Sequence, residues 1–304
     1  MLIIIIGLPY FAKKLKTDLA NFDIENRYVF CDTYSFLFDK IKFATLIPFA
    51  DIVISLNGVS DKSGSLDLAL KFNKKIIMLW QGTDVLLAQK RYKSNTILLK
   101  YIEKSIHFSD SFLLINELKG IRIKTDILHF KHIVINNSTI DKYEKISVYT
   151  YILEGKEKFY GLDILSPIFA EFSDIEFKIL GTKGNSYPKL PNVTYYGWVD
   201  ANLYKEIANS TPIFIRLTEH DGYSKSVLEA LSFGSEVIWN FEHELCHLVK
   251  RDSIDLSNKL SDTIKIIKNR NMLKNEKNIS WIKENFNFKK IMKNFKHTIE
   301  QSTK

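Results

Sequence analysis

The chain has 304 residues, 45% of them hydrophobic, and 43 Lys and Arg against 35 Asp and Glu, a formal charge of +8. That length and apolar content suffice for one large core or two ordinary ones and exclude a disordered or fibrous chain. Cys31 and Cys246 are the only cysteines, which excludes a disulfide framework and points to a reducing cytoplasm.

The first strand is predicted at Met1–Ile6, a fully apolar run that ends at Gly7. It is too short to cross a bilayer and no basic leader precedes it, so a buried strand of an α/β sheet is expected rather than a secretory signal. Further strands are predicted at 51–56, 75–80 and 111–115, with a helical pattern at 65–72. Repeated strand, helix and strand mean a parallel, doubly wound sheet. The segment Tyr34–Phe49 is apolar and aromatic with interleaved lysines. It admits two readings, a core helix or, with Lys13, Lys14 and Lys16, a dock for an anionic membrane. The basic bias lies in residues 1–145, with 21 Lys and Arg against 15 acids, compared with 22 against 20 in the remainder. It suits an anionic surface or acceptor, although a lysine-rich coding habit accounts for part of it. Nucleic acid is not expected as a partner, because neither an RNA-binding aromatic signature nor zinc-finger spacing is present.

From Asn136 to Lys145 the sequence turns polar, and a domain boundary is expected there, giving domains 1–145 and 146–304. The alternation then resumes. A strand is predicted at 147–153, a helix at 163–172, strands at 176–180 and 192–199, a helix at 201–209 and a strand at 212–216. The last stretch, 280–303, carries apolar residues at helical spacing and reads either as a surface helix of the second domain or as one that crosses back to the first.

The densest functional signal is Asp221-Gly-Tyr-Ser-Lys-Ser-Val-Leu-Glu229, followed by an apolar strand at 237–239. Gly222 allows close backbone approach to a ligand, and Ser224 stands at a helix N-cap, so the amides of residues 222–226 form a seat for phosphate. Asp221 and Glu229 flank that seat as acceptors for sugar or ribose hydroxyls. His243-Glu-Leu-Cys-His247 competes for attention, since His-Glu-x-x-His on a helix aligns two imidazoles for zinc with Glu244 as base. The plainer reading is a short amphipathic surface helix.

At Asp221–Glu229 the chain resembles the retaining GT-B glycosyltransferases whose signature is Glu-x7-Glu, with Asp in place of the first Glu. The resemblance implies two Rossmann-like domains facing across a cleft, with the acceptor bound by the first and the nucleotide sugar by the second. It assigns Asp221 to the donor sugar and Glu229 to the ribose, with Gly222, Tyr223, Ser224 and Lys225 around the phosphates. Leu180-Gly-Thr-Lys-Gly184 and Asn192-Val-Thr-Tyr-Tyr-Gly-Trp-Val199 look like the family's turn and its strand beside the base, which brings in Thr182, Trp198 and Val199. In Gly155-Lys-Glu-Lys-Phe-Tyr-Gly161, Lys156 stands where the family has an Arg, but Tyr160 stands where it has a Lys. Lys158 or Lys225 is expected to supply the missing charge.

In the first domain, Gly7, Asn57, Gln81, Thr83 and Asp84 follow strand ends and are expected to line the acceptor side. The implied activity is transfer of a sugar from a nucleoside diphosphate donor such as a UDP-sugar to a glycan or lipid-linked acceptor, in cell-surface polysaccharide or glycolipid synthesis, with retention and without a metal or other cofactor. The alternatives are a donor-binding GT-B subunit with weakened catalysis inside a heteromeric transferase, and the zinc hydrolase. The expected location is the cytoplasm or the inner membrane face.

Overall fold

The computed structural model describes residues 1–134 and 141–303. The start of the polar segment from Asn136 lies outside the described residues. The chain divides into two compact units, Met1–His132 with Phe288–Lys304, and Ile133–Asn287. The sequence reading places a single boundary at 145/146. Residues on its N-terminal side are tied to the second unit, since the Ile133 amide bonds the Phe286 carbonyl and buried Tyr143 bonds Met272.

The first unit is a six-stranded parallel sheet of β1 (Leu2–Gly7), β2 (Arg27–Phe30), β3 (Ile52–Leu56), β4 (Lys75–Trp80), β5 (Ser105–Ser109) and β6 (Asp126–Ile127), in the order β2-β1-β3-β4-β5-β6. Helices α1 (Pro9–Phe22), α2 (Leu37–Leu46), α3 (Gly64–Lys71), α4 (Thr83–Lys93), α5 (Leu99–Glu103) and α6 (Phe112–Gly120) make the connections. β1, β3 and β4 are apolar along almost their whole length because a parallel sheet between helices is buried on both faces.

One predicted strand is corrected. The run from Ser111 to Ile115 opens α6, which buries Leu114 and Leu118 at the four-residue spacing of a helix. The strand is β5 instead, where buried His107 accepts the Trp80 indole N–H at 3.1 Å.

The second unit repeats the plan with β7 (Ser147–Tyr151), β8 (Glu176–Leu180), β9 (Val193–Gly197), β10 (Ile213–Arg216), β11 (Glu236–Trp239) and β12 (Cys246–Leu248). All pair in parallel in the order β12-β11-β10-β7-β8-β9. Its helices are α7 (Leu162–Leu165), α8 (Ala201–Ser210), α9 (Lys225–Ser232), α10 (Ser253–Asn269) and α11 (Glu276–Asn285). The helix predicted over 163–172 is shorter than expected: α7 gives way to a 3-10 turn at Ser166–Ile168 that carries Pro167.

The last helix, α12 (Phe288–Thr303), belongs to the first unit. It buries Ile291, Met292, Phe295 and Ile299, and its Lys296 bonds Asp23 at the end of α1.

Candidate functional site

In the second unit the chain runs outward from β7 through β8 and β9, then returns to β10 on the other side of β7. The connections therefore reverse between β7 and β10, and the carboxyl ends of strands at such a reversal leave a crevice for ligands. Lys156 and Tyr160 follow β7, Thr182 follows β8, Trp198 and Val199 follow β9, and Asp221 follows β10. Parallel strands put all of these loops on one edge.

Gly161 closes the seam between the β7 and β10 loops. Its φ is +76° and a Cβ there would stand 2.5 Å from the Leu217 carbonyl oxygen, so only glycine fits. The Glu219 amide bonds the Phe159 carbonyl at 2.9 Å, and Arg251 donates to the carbonyls of Leu217 and Lys158 at 3.2 and 3.0 Å. The two loops are thus stapled by backbone contacts that the sequence does not announce.

Asp221 is held where the β10 loop turns into α9. Its Oδ2 accepts from Arg216 Nε at 2.5 Å and from Thr218 Oγ1 at 3.3 Å. The guanidinium of Arg216 also lies over the Tyr160 ring at 5.5 Å. Arg216 was missed in the sequence reading. The signal was there in a single cation ending the apolar strand Ile213-Phe-Ile-Arg216 five residues before the motif acid. Lys225, expected to supply the missing charge, is spent on Glu229 at 2.6 Å, one helical turn along α9. Burial raises the Tyr160 phenol above its ordinary value, so it stays a neutral hydrogen-bond donor.

Ser224 stands at the N-cap of α9 as expected, but its hydroxyl meets Ser226 at 3.0 Å and caps no amide. The first turn of α9 therefore keeps its N-terminal partial charge without a side-chain cap. Tyr223 is fixed from behind: its ring stacks on Phe286 at 5.4 Å and its hydroxyl meets His243 Nε2 at 3.0 Å. Burial lowers the His243 imidazole, which keeps it neutral.

Lys156 is exposed and lines a groove of about 720 Å³ with Glu154, Glu157, Asn185 and Tyr187. Thr182 is buried, and its hydroxyl donates to Glu157 at 2.7 Å, which lowers that carboxyl. It is a positioning residue for the groove wall. The Gly181 amide bonds the Gly197 carbonyl and the Gly197 amide bonds the Thr182 carbonyl, so the β8 and β9 loops are joined to each other. Beyond them Trp198 is 80% exposed, an open aromatic face at the same edge.

The zinc reading loses its geometry here. Residues 243–247 are not helical: Cys246 and His247 begin β12, which extends β11 as a parallel edge strand. His247 bonds Glu236 at 2.9 Å and His243 bonds Tyr223, so each imidazole is engaged separately. Among the described residues no group of three metal-ligating side chains is found.

In the first unit the reversal falls between β1 and β3, and it brings Gly7 and Asn57 together. Gly7 has φ +102°, and a Cβ there would fall 2.6 Å from Asn57 Oδ1. Gln81 and exposed Thr83 follow β4 on the same edge. Asp84 has a different task. Its carboxylate accepts the amides of Gly58, Gln81, Gly82 and Val85 at 2.5 to 3.0 Å, tying the β3 loop to the β4 loop. Desolvation raises this carboxyl against the pull of those amides. It frames the β3 and β4 loops with both carboxylate oxygens engaged by their amides.

No protein-family model matches the chain, and no curated protein sequence matches it. Solved structures do. The chain is similar to HepE of Anabaena, solved in complex with UDP and glucose, at TM-score 0.73 and 12% identity over 99% of this chain and 100% of that one. It is also similar to sucrose-phosphate synthase of Thermosynechococcus elongatus, at TM-score 0.69 and 10% identity over 99% and 98%. A third is an α-glucosyltransferase solved with UDP and a 13-mer DNA, at TM-score 0.63 and 10% identity over the full length of both chains. Two six-stranded parallel sheets with flanking helices, matched end to end, give this chain the GT-B fold.

Proposed function

We propose that the chain is a glycosyltransferase that takes a sugar from a nucleoside diphosphate donor, a UDP-sugar by the ligands of its structural neighbours, and passes it to a hydroxyl of a glycan or lipid-linked acceptor. The observation that carries the reading is the grouping on one sheet edge of Asp221 and Glu229, the uncapped first turn of α9, and two cations, Arg216 and Lys156. A diphosphate leaving group gains charge as the glycosidic bond breaks, and fixed donors aimed at that charge stabilise the transition state.

In this reading the α9 amides and the cations hold the diphosphate, Glu229 meets the ribose, Asp221 meets the donor sugar and Trp198 faces the base. The bond between the anomeric carbon and the phosphate oxygen breaks, and the acceptor oxygen bonds that carbon. The acceptor proton passes to the departing phosphate oxygen. Retention follows from the family resemblance, and no protein base or metal is needed for the step as written. The natural setting is cytoplasmic polysaccharide or glycolipid synthesis. Arg216 also bears on the weakened-subunit alternative, because it supplies a fixed cation beside Tyr160.

Steady-state kinetics of two variants test the assignment. Glu229→Ala is expected to raise the donor KM, and Asp221→Ala to lower kcat more than it raises KM. Wild-type values in both would overturn the site.

A further inference from the structure

Helix α2 is amphipathic with its apolar face turned outward. It buries Phe43 and half-buries Asp39 and Leu46, while Leu37, Phe38 and Ile41 are exposed, Phe38 at 87%. At 100° per residue Leu37, Phe38, Ile41, Ala44 and Thr45 form the stripe opposite the buried side, and Lys40 and Lys42 stand on its two flanks. The surface continues off both ends of the helix through exposed Tyr34 and Phe36 before it and Phe49, 76% exposed, after it. Single exposed apolar residues are ordinary, but a contiguous run from three consecutive segments is not.

The rim is basic because its acids face inward. Asp32 is buried and accepts the amides of Tyr34 and Ser35, and Asp39 accepts the Asp32 amide. Lysines gather from outside the helix as well. Lys13 lies over the Phe30 ring at 5.7 Å and Lys74 donates to the Pro48 carbonyl beside Phe49, while Lys42 of the helix itself donates to the Phe30 carbonyl.

We infer that this face docks on an anionic lipid bilayer. An apolar stripe with lysines on both flanks matches the interface in both respects, since the side chains enter the acyl boundary while the ammonium groups reach anionic headgroups. A second copy fits less well, because a two-fold contact through this face brings the flanking lysines of the two copies together. Among the described residues no helix is long and apolar enough to cross a membrane, so the mode is peripheral. Asn57 Nδ2 donates to the Tyr34 hydroxyl at 3.3 Å, which couples the docking face to the loop that carries the acceptor-side residues of the first unit. That the docked face brings those residues to a lipid-linked acceptor rests on the transferase reading, whereas the docking itself does not.

Co-sedimentation of the full chain with vesicles tests the inference, comparing phosphatidylglycerol mixed into phosphatidylcholine with phosphatidylcholine alone. Binding is expected only to the anionic vesicles, weakened by 0.5 M salt as a screening length of ~4 Å requires. Lys40→Glu with Lys74→Glu should weaken it by roughly thirtyfold or more, taking the usual contribution of a lysine near an anionic surface. Phe38→Glu with Ile41→Glu should abolish it while leaving the far-ultraviolet circular dichroism and any thermal shift by UDP unchanged. No sedimentation of the wild type, or equal sedimentation with neutral vesicles, would overturn the docking. So would a concentration-dependent dimer in light scattering that Phe38→Glu with Ile41→Glu dissolves, which would give the face to a second copy. Failure of UDP to shift the wild type while vesicle binding persists would count against the transferase reading alone.

Discussion

Arg216 Nε lies 2.5 Å from Asp221 Oδ2, with the two side chains 11% and 12% exposed. The pair joins the end of β10 to the loop before α9, so the motif acid takes its position from a strand residue. Arg216→Ala leaves a largely buried carboxylate without its cation, at a stability cost of about 3 kcal/mol. It also removes a cation from the proposed diphosphate seat, for a loss of roughly 10² to 10³ in kcat. Arg216→Lys keeps the charge but not the fork, and should recover part of the rate only. Transfer kinetics and denaturant melts of the two variants check both effects.

Arg251 spans the carbonyls of Leu217 and Lys158, beside the backbone bond from Glu219 to Phe159 that joins the same two loops. Arg251→Ala should lower the unfolding free energy by about 1.5–3 kcal/mol, the range for hydrogen bonds to a charged group. Because the loops it joins carry Lys156 and Asp221, donor KM should rise while far-ultraviolet circular dichroism stays unchanged. An unaltered KM would reduce Arg251 to a stability role.

Trp80 and Trp239 are buried and Trp281 is half-buried, whereas Trp198 is open at the carboxyl edge of the second sheet. If the nucleobase stacks there, Trp198→Ala should weaken nucleotide binding by about 1–3 kcal/mol. Intrinsic fluorescence should be quenched by nucleotide in the wild type and much less in the variant. Equal quenching in both would move the base elsewhere.

Acid stability should carry the mark of Asp23. Burial alone would raise its carboxyl, but hydrogen bonds from Asn26, Lys296 and Tyr28 prevail and bring it down to about 2. A folded value below the unfolded one means stability that is complete above about pH 4 and is lost as pH falls towards 2. The contribution is roughly 2–3 kcal/mol. Lys296 comes from α12, so Lys296→Met should lower the melting temperature at pH 7 and flatten its fall between pH 4 and 2. A parallel fall in wild type and variant would exclude the pair as the source.

The alternation of strand and helix was legible because parallel strands buried on both faces read as apolar runs, and β4 and β8 lie where those runs fall. The same rule misled at Ser111–Ile115, where a short apolar run does not separate a strand from the first turn of a buried helix. The strand β5 escaped because its Ser and His are accommodated by partners on β4, which sequence periodicity does not contain. At His243–His247 both the zinc reading and the plainer surface-helix reading assumed a helix, whereas β11 recruits Cys246–Leu248 as an edge strand. The placing of Asp221 in a loop and Glu229 in the helix after it was legible through spacing. Arg216 and Arg251 were not, because what they bond is decided by which loops the sheet order brings together.

Calorimetric titration of UDP, GDP, ADP and CMP sugars into the wild type and Glu229→Ala tests the central claim, that the carboxyl edge of the second unit seats a nucleoside diphosphate sugar. The predicted result is saturable binding of one nucleotide class by the wild type and an affinity at least about tenfold lower in the variant, the loss of roughly one charge-assisted hydrogen bond. No binding of any donor, or the same affinity in both proteins, would contradict it.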